Sequence, residues 1–382
     1  MEKSKRLCTT GYLAFFLSGI CVISSGIIVN ILQEKYGFSY GMTGTLLSIM
    51  SIGNMAASFL SGALNGKLGM RRTVLFMSCG HFLGYLLMTV SGAAAVLMLA
   101  FLLVGIAKGC ALNSCTVLVG NNSEDRTKGI SILHGVYASG ALLCPFLVAA
   151  MAKGGMNLPM IGVAAAGALL WILFFTAGLP GREESKGEKE DKGEFAFLKQ
   201  KRFWMLTALI FCQNAAETSV TGWLVTYYKN QGILSGVFSN YTVTVMWSAT
   251  LIARMLIAFV FPVKNTFKAL SFMGLGCTVL YGAMIFVDQP VLAVVLLFAF
   301  AFSMAGVNPI AVAGVGKEMS AASMGILLPI GGIGAIVMPW IIGKVADHVN
   351  LQFGMACNLI GCIGIMVISM ILYKQSANMK NE

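Results

Sequence analysis

The chain has 382 residues, of which 57% are hydrophobic and only 11% charged, with a formal net charge of +11. Soluble domains carry about 25% charged residues. That excludes a soluble globular domain, and with it the nucleic-acid partner that so basic a balance would otherwise suggest. What remains is an all-α integral membrane protein, because lipid offers no hydrogen-bond partner to an open backbone. The alternating ten-residue segments of a membrane barrel are absent.

The first 32 residues, MEKSKRLCTTGYLAFFLSGICVISSGIIVNIL, pair a basic head with an apolar run. The run is too long for a signal peptide and no small-residue cleavage site follows it, so it predicts an uncleaved first helix. Apolar segments then recur at 10–32, 41–65, 72–92, 94–119, 129–152, 157–179, 203–228, 238–262, 267–287, 290–313, 321–345 and 350–373. Each is near the ~20 residues that a span requires, which predicts 12 transmembrane helices. With both termini cytoplasmic, 20 Lys and Arg fall on the inner side and four, Lys35, Lys153, Lys229 and Lys344, on the outer. That asymmetry obeys the positive-inside rule and fits an even number of spans.

Residues 181–202, GREESKGEKEDKGEFAFLKQKR, are dense in charge and Gly and read as a cytoplasmic linker. They divide the chain into six-helix halves at 1–180 and 203–382. The halves echo each other. SGALLCPFLVAAMA (139–152) aligns with IGAIVMPWIIGKVA (333–346), Gly-Ala over Gly-Ala and Pro over Pro, at an offset of 194 residues. Repeated halves around a midplane site are a known design of secondary transporters.

The segment between the second and third spans reads GALNGKLGMRRTVL. Gly62, Lys67, Gly69, Arg71 and Arg72 fit the gating-loop pattern of the major facilitator superfamily, while Gly66 stands where that pattern has Asp. Together with the 12 spans and the 6+6 split, this resembles that superfamily. SILHGVYASGALLCPFL, AETSVTGWLVTYY, WSATLIARMLIAF and AGVNPIAVA are similar to the fucose-permease branch of sugar–proton symporters. The resemblance implies the MFS fold, a monomer in the inner cell membrane, and a central cavity lined by spans 1, 4, 7 and 10. The GPxxGG pattern of drug–proton antiporters is missing around Pro145. No GxxxxGK[ST] loop is present, which argues against direct ATP coupling.

Charges inside spans are costly and mark function by default. Lys108 in the fourth span, Glu217 in the seventh and Arg254 in the eighth are the strong ones. Helical rise puts them about 16 Å, about 21 Å and about 12 Å from the cytoplasmic ends. Under the superfamily fold Lys108 and Glu217 face the cavity. Lys108 then pairs with Glu217 or holds a solute anion, and Arg254 pairs with Glu217 or is the spare cation. In either pairing one positive charge remains for a carboxylate. Glu217 is the candidate proton-coupling residue, since a solute that takes up a neighbouring cation changes a carboxylate's proton affinity.

Gln213 and Asn214 share the Glu217 face at i−4 and i−3. Asn113 lies at i+5 from Lys108, and Asn308 precedes a helix-loosening Pro309. Trp223, Tyr227 and Trp247 offer stacking surfaces. His81 and His134 read as packing residues, and the ten cysteines as small buried hydrophobes. No clustered nucleophile and base and no metal-ligand set is visible, so neither an enzyme nor a cofactor is expected. The expected function is secondary active transport of a small polar organic solute (sugar, sugar acid or organic anion), by proton symport. The competing readings are proton-driven efflux of amphipathic compounds and a non-transporting solute sensor.

Overall fold

A computed structural model describes residues 2–124, 126–179, 196–234, 236–261, 263–313 and 321–378. In chain order the α-helices are α1 (Glu2–Tyr36), α2 (Tyr40–Leu68), α3 (Met70–Ser78), α4 (Gly80–Val90), α5 (Ala94–Asn122), α6 (Arg126–Ala152) and α7 (Leu158–Thr176). They continue as α8 (Lys201–Asn230), α9 (Val237–Met255), α10 (Thr266–Met284), α11 (Pro290–Met304) and α12 (Val307–Ala313). The last four are α13 (Ala321–Gly332), α14 (Gly334–His348), α15 (Leu351–Ala356) and α16 (Leu359–Asn378).

Among the described residues, ten helical segments are long and apolar enough to cross a membrane. The predicted spans over 203–228 and 238–262 fold as α8 and α9, yet they are not among the ten. The reason is composition: Gln213, Asn214 and Glu217 interrupt the middle of α8, and α9 has Ser239 and Asn240 near its start and Arg254 near its end.

The chain forms two compact units, Met1–Lys189 and Glu190–Glu382. Residues 181–195 of the linker predicted over 181–202 fall outside the described residues, as do Lys317 and Lys380. Ala196–Lys199 makes a 3-10 turn, and Phe197 is buried against Phe203 with ring centroids 4.8 Å apart. The following helix therefore starts at Lys201 rather than 203.

In the first unit α1 packs on α5, α6 and α7, while α5 also carries α2 and α4. In the second, α8 packs on α13, α14 and α16, and α10 bridges α11 and α16. Helices in lipid gain nothing from burying apolar surface against each other, so close van der Waals approach at small residues has to hold them. Gly53 and Gly109 show this at the α2–α5 crossing. A Cβ at Gly53 would lie 2.5 Å from the Leu102 carbonyl oxygen, and one at Gly109 2.5 Å from that of Asn54.

The internal repeat has a structural counterpart. Gly140 on α6 rests against α1, where a Cβ would overlap the carbonyl oxygen of Phe16. Gly334, its match 194 residues on, rests against α8, where a Cβ would overlap the carbonyl oxygen of Phe211. Pro145 and Pro339, also matched, each sit inside their helix and are buried. One contact, a glycine on a phenylalanine carbonyl, thus fixes the corresponding crossing in both units.

Gly140→Ala and Gly334→Ala should each destabilise the protein by about 1–3 kcal/mol, because the added methyl meets backbone that cannot yield. Gly135→Ala and Gly332→Ala are the matched controls, since a Cβ there meets nothing within 4 Å. Thermal unfolding of the four purified variants in detergent checks the difference.

Candidate functional site

The second unit is built from interrupted helices. α11 and α12 are separated at Ala305–Gly306, α13 and α14 at Ile333, and α15 and α16 at Cys357–Asn358. A break inside a membrane-spanning helix frees backbone groups that some side chain must satisfy. Arg254 on α9 does so at the first break. Its Nε donates to the Ala305 carbonyl at 3.3 Å, placing a cation at the C-terminal end of α11, where the helix dipole is negative. At the third break the Tyr281 hydroxyl donates to the Met355 carbonyl at 2.8 Å, while Asn358, fully buried, ties the break to α8, its Nδ2 donating to the Ala216 carbonyl at 3.3 Å.

Beside Ala216 lies Glu217, half-buried near the middle of α8. Gln213 Nε2 donates to Glu217 Oε2, and Gln213 Oε1 accepts from Asn308 Nδ2 of α12 at 3.0 Å. A carboxylate and two amides therefore form one directed chain, Asn308 to Gln213 to Glu217. The middle member is 1% exposed. The Thr221 hydroxyl donates to the Glu217 backbone carbonyl at 2.8 Å, one turn further on. Among the described residues no ion pair joins Glu217 to Arg254; one is held by amides and the other by backbone.

The other predicted residues of this unit are placed differently. Asn214 is half-buried and makes no hydrogen bond among the described residues, although it neighbours Gln213 in sequence. Trp223 and Trp247 are buried, 0% and 6% exposed. Tyr227 is also buried, and its hydroxyl donates to the Ile285 carbonyl at 2.7 Å, which anchors α8 to the end of α10. Two participants were missed at the sequence level, Asn358 and Thr221. The signal for Asn358 was present, a lone amide in the apolar run MACNLIGCIG.

In the first unit Lys108 is half-buried at the midpoint of α5. Gly105 and Gly109, three residues before it and one after, both seat on the α2 backbone, so the lysine stands at the flank of that crossing. Asn113 lies further along α5 and turns its amide to α2, donating to the Ser58 carbonyl at 3.3 Å and to Ser61 Oγ at 3.0 Å.

Of the loop residues, Gly69 is the single residue between α2 and α3. It has φ 81° and ψ 154°, a conformation that only glycine adopts freely. Lys67, Arg71 and Arg72 are exposed, and the Arg71 guanidinium lies 5.8 Å from the centroid of the Phe175 ring. Gly62 lies on α2, in a stretch whose side-chain surroundings fall outside the described residues. His81 is fully buried with Nε2 3.5 Å from Ser18 Oγ, whereas His134 is exposed with its ring edge-on to Phe15.

The family model of the Major Facilitator Superfamily matches residues 11–327. The chain belongs to that superfamily. This makes it a multi-pass membrane transporter rather than an enzyme. Among curated relatives, it is 28% identical over 216 residues to an uncharacterized MFS-type transporter of Yersinia pestis, a match spanning 55% of this chain and about half, 54%, of that protein. It is 25% identical over 321 residues to the glucose/mannose transporter GlcP of Bacillus subtilis, covering 79% of this chain and 77% of that one.

Solved structures share the fold of this MFS chain. A mutant form of the nucleoside transporter NupG superposes with TM-score 0.80 at 14% identity, over 97% of this chain and 100% of that one. A bacterial homologue of the human lysosomal transporter Spinster gives TM-score 0.71 at 12% identity, over 97% and 96%.

Gln213→Leu strips a partner from both Asn308 and Glu217 and should cost about 1–3 kcal/mol of stability. Asn214→Leu, one residue along, should cost under ~0.5 kcal/mol. Thermal unfolding of the two variants in detergent, side by side, reads the difference.

Proposed function

We propose that this transporter carries a small polar organic solute (a sugar, sugar acid or organic anion) across the cell membrane by alternating access coupled to proton symport. In this reading α8 and α9 cross the membrane with the ten apolar segments, giving 12 spans in two six-helix halves with both termini cytoplasmic, and the protein acts as a monomer. The sugar transporter among its relatives and the fucose-permease-like segments support a polar, hydroxyl-rich solute. The observation that carries the coupling is the directed chain from Asn308 through Gln213 to Glu217.

A carboxylate only accepts hydrogen bonds, whereas a protonated carboxyl has one O–H to donate. While Glu217 is ionised, the Gln213 amide must present Nε2 to it, and Oε1 is left for Asn308. Protonation lets Glu217 donate to Oε1, so the Gln213 amide turns over and Asn308 must turn with it. The proton on α8 thereby changes which atom of Asn308, on α12, is open to a solute hydroxyl. Solute and proton then each favour the arrangement that suits the other, the reciprocity that coupled binding requires. Lys108 supplies the positive charge for an acidic group on the solute, as a compact point charge on a flexible stem.

The test is solute-driven proton uptake into proteoliposomes containing a pH dye, with neutral sugars, sugar acids and small carboxylates as the panel. Wild-type protein should take up protons with at least one solute. Glu217→Gln should abolish proton uptake while tracer exchange of the same solute persists, because a glutamine can hold the amide chain but cannot titrate. Lys108→Ala should raise the half-saturation concentration of acidic solutes about 10-fold or more and leave neutral ones unchanged, as expected for loss of a charge-assisted hydrogen bond. Exchange without proton movement in wild-type protein would replace symport with uniport or antiport. Protection of cells against amphipathic toxins, with no uptake of the panel, would favour efflux.

A further inference from the structure

A cavity of about 880 Å³ in the second unit shares no lining residue with the amide chain. It opens where α9 gives way to a π-helical turn, Leu256–Val260, closed by the Phe261 N–H donating to the Leu256 carbonyl at 2.7 Å. Turns of this kind occur mostly as isolated bulges and frequently at functional sites. Two of the lining side chains, Ile257 and Met273, pack over Gly306 at the break between α11 and α12, with Ile257 Cδ1 and Met273 Cε each 2.7 Å from where a Cβ would stand. The walls are α9 with its π turn, α10, α11 through Phe302, and the end of α16 at Tyr373.

Charge is confined to one end. Lys264 and Lys268 line the rim, both exposed, and no acidic residue lines the cavity. The Asn265 side chain accepts from the Lys268 backbone N–H at 3.1 Å, which fixes the first turn of α10 and the place of that lysine on it. Phe272 follows one turn further into the span, 65% exposed and lining the groove. Exposed phenylalanines on a membrane protein mean only that acyl chains pass them. An open groove with apolar walls and two lysines on its rim matches a different molecule: one with an anionic head at the interface and a hydrocarbon body below it.

We propose that this groove is a binding site for an anionic phospholipid, with Lys264 and Lys268 holding the phosphate and Leu256, Ile257, Phe272, Met273 and Phe302 packing an acyl chain. The volume lies in the range of sites that enclose a small molecule, roughly 300–1,000 Å³. Basic pockets between spanning helices are a recognised setting for acidic lipid heads. Attraction between like-placed lysines and the lipid surface falls off within a Debye length, so the preference weakens with salt. The inference does not depend on which solute is carried or on proton coupling.

Native mass spectrometry of the full-length protein in detergent tests it, after titration with phosphatidylglycerol or with phosphatidylcholine of the same chains. Wild-type protein should retain phosphatidylglycerol about 30-fold more than phosphatidylcholine, given about 1 kcal/mol for each of the two lysines near the head. Lys264→Gln with Lys268→Gln should bring the ratio near one. Lys3→Gln with Lys5→Gln, an equal charge change at other exposed positions, should leave it at the wild-type value. An unchanged ratio in the first double variant overturns the proposal. So does an equal fall in the second, which would reduce the effect to general surface charge. Displacement of the lipid by millimolar inorganic phosphate overturns it too, and would mark the rim as a site for free phosphate.

Discussion

Inside a bilayer no water is available to a bare N–H or C=O, and each unsatisfied group costs several kcal/mol. Much of what this chain does structurally follows from that. The described residues of both units are helices joined by turns. The same lipid gives helices little reason to associate unless their backbones come close. Gly53, Gly105 and Gly109 bring α2 and α5 together, and Gly140 and Gly334 seat α6 and α14 on carbonyls of α1 and α8. Where the second unit breaks a helix, a carbonyl at the break is met by a side chain, Arg254 at Ala305 and Tyr281 at Met355.

The two units share a crossing motif and differ in what they add to it. In the first, α5 runs unbroken from Ala94 to Asn122, and its lysine sits beside a glycine crossing. In the second, three helical pairs are interrupted, against one in the first, α3 and α4 at Cys79, and polar side chains collect along α8 and α12. The glycine–carbonyl contact holds the fold and is kept. The breaks create polar backbone at depth and are tolerated where side chains can answer them.

The amide chain at Glu217 has a property that an ion pair lacks, which is direction. An ion pair between Glu217 and Arg254 would fix a charge and little else. Amides carry a donor at one end and an acceptor at the other, so turning one obliges its neighbour to turn. Arg254 instead gives its Nε–H to the Ala305 carbonyl. The structure thus separates two jobs that the sequence left merged, stabilising a broken helix and carrying a titratable group.

The sequence by itself determined the class, the membrane setting and the superfamily, because each depends on composition, period and local spacing. It marked Gln213 and Glu217 as neighbours, since i and i+4 share a helix face whatever the tertiary structure. It also matched Gly140 to Gly334 and Pro145 to Pro339. Only the tertiary structure decided that Asn308 joins Gln213 across 95 residues, and that Asn113 turns to α2. It alone showed that Arg254 serves a helix end and that Asn358 bonds the α8 backbone at Ala216. These depend on where helices break and which faces meet. Pro309 did announce the loosening at Ala305, whose carbonyl lies four residues before the missing N–H, but which side chain would answer that carbonyl is set by the packing of neighbouring helices, and no local pattern shows it.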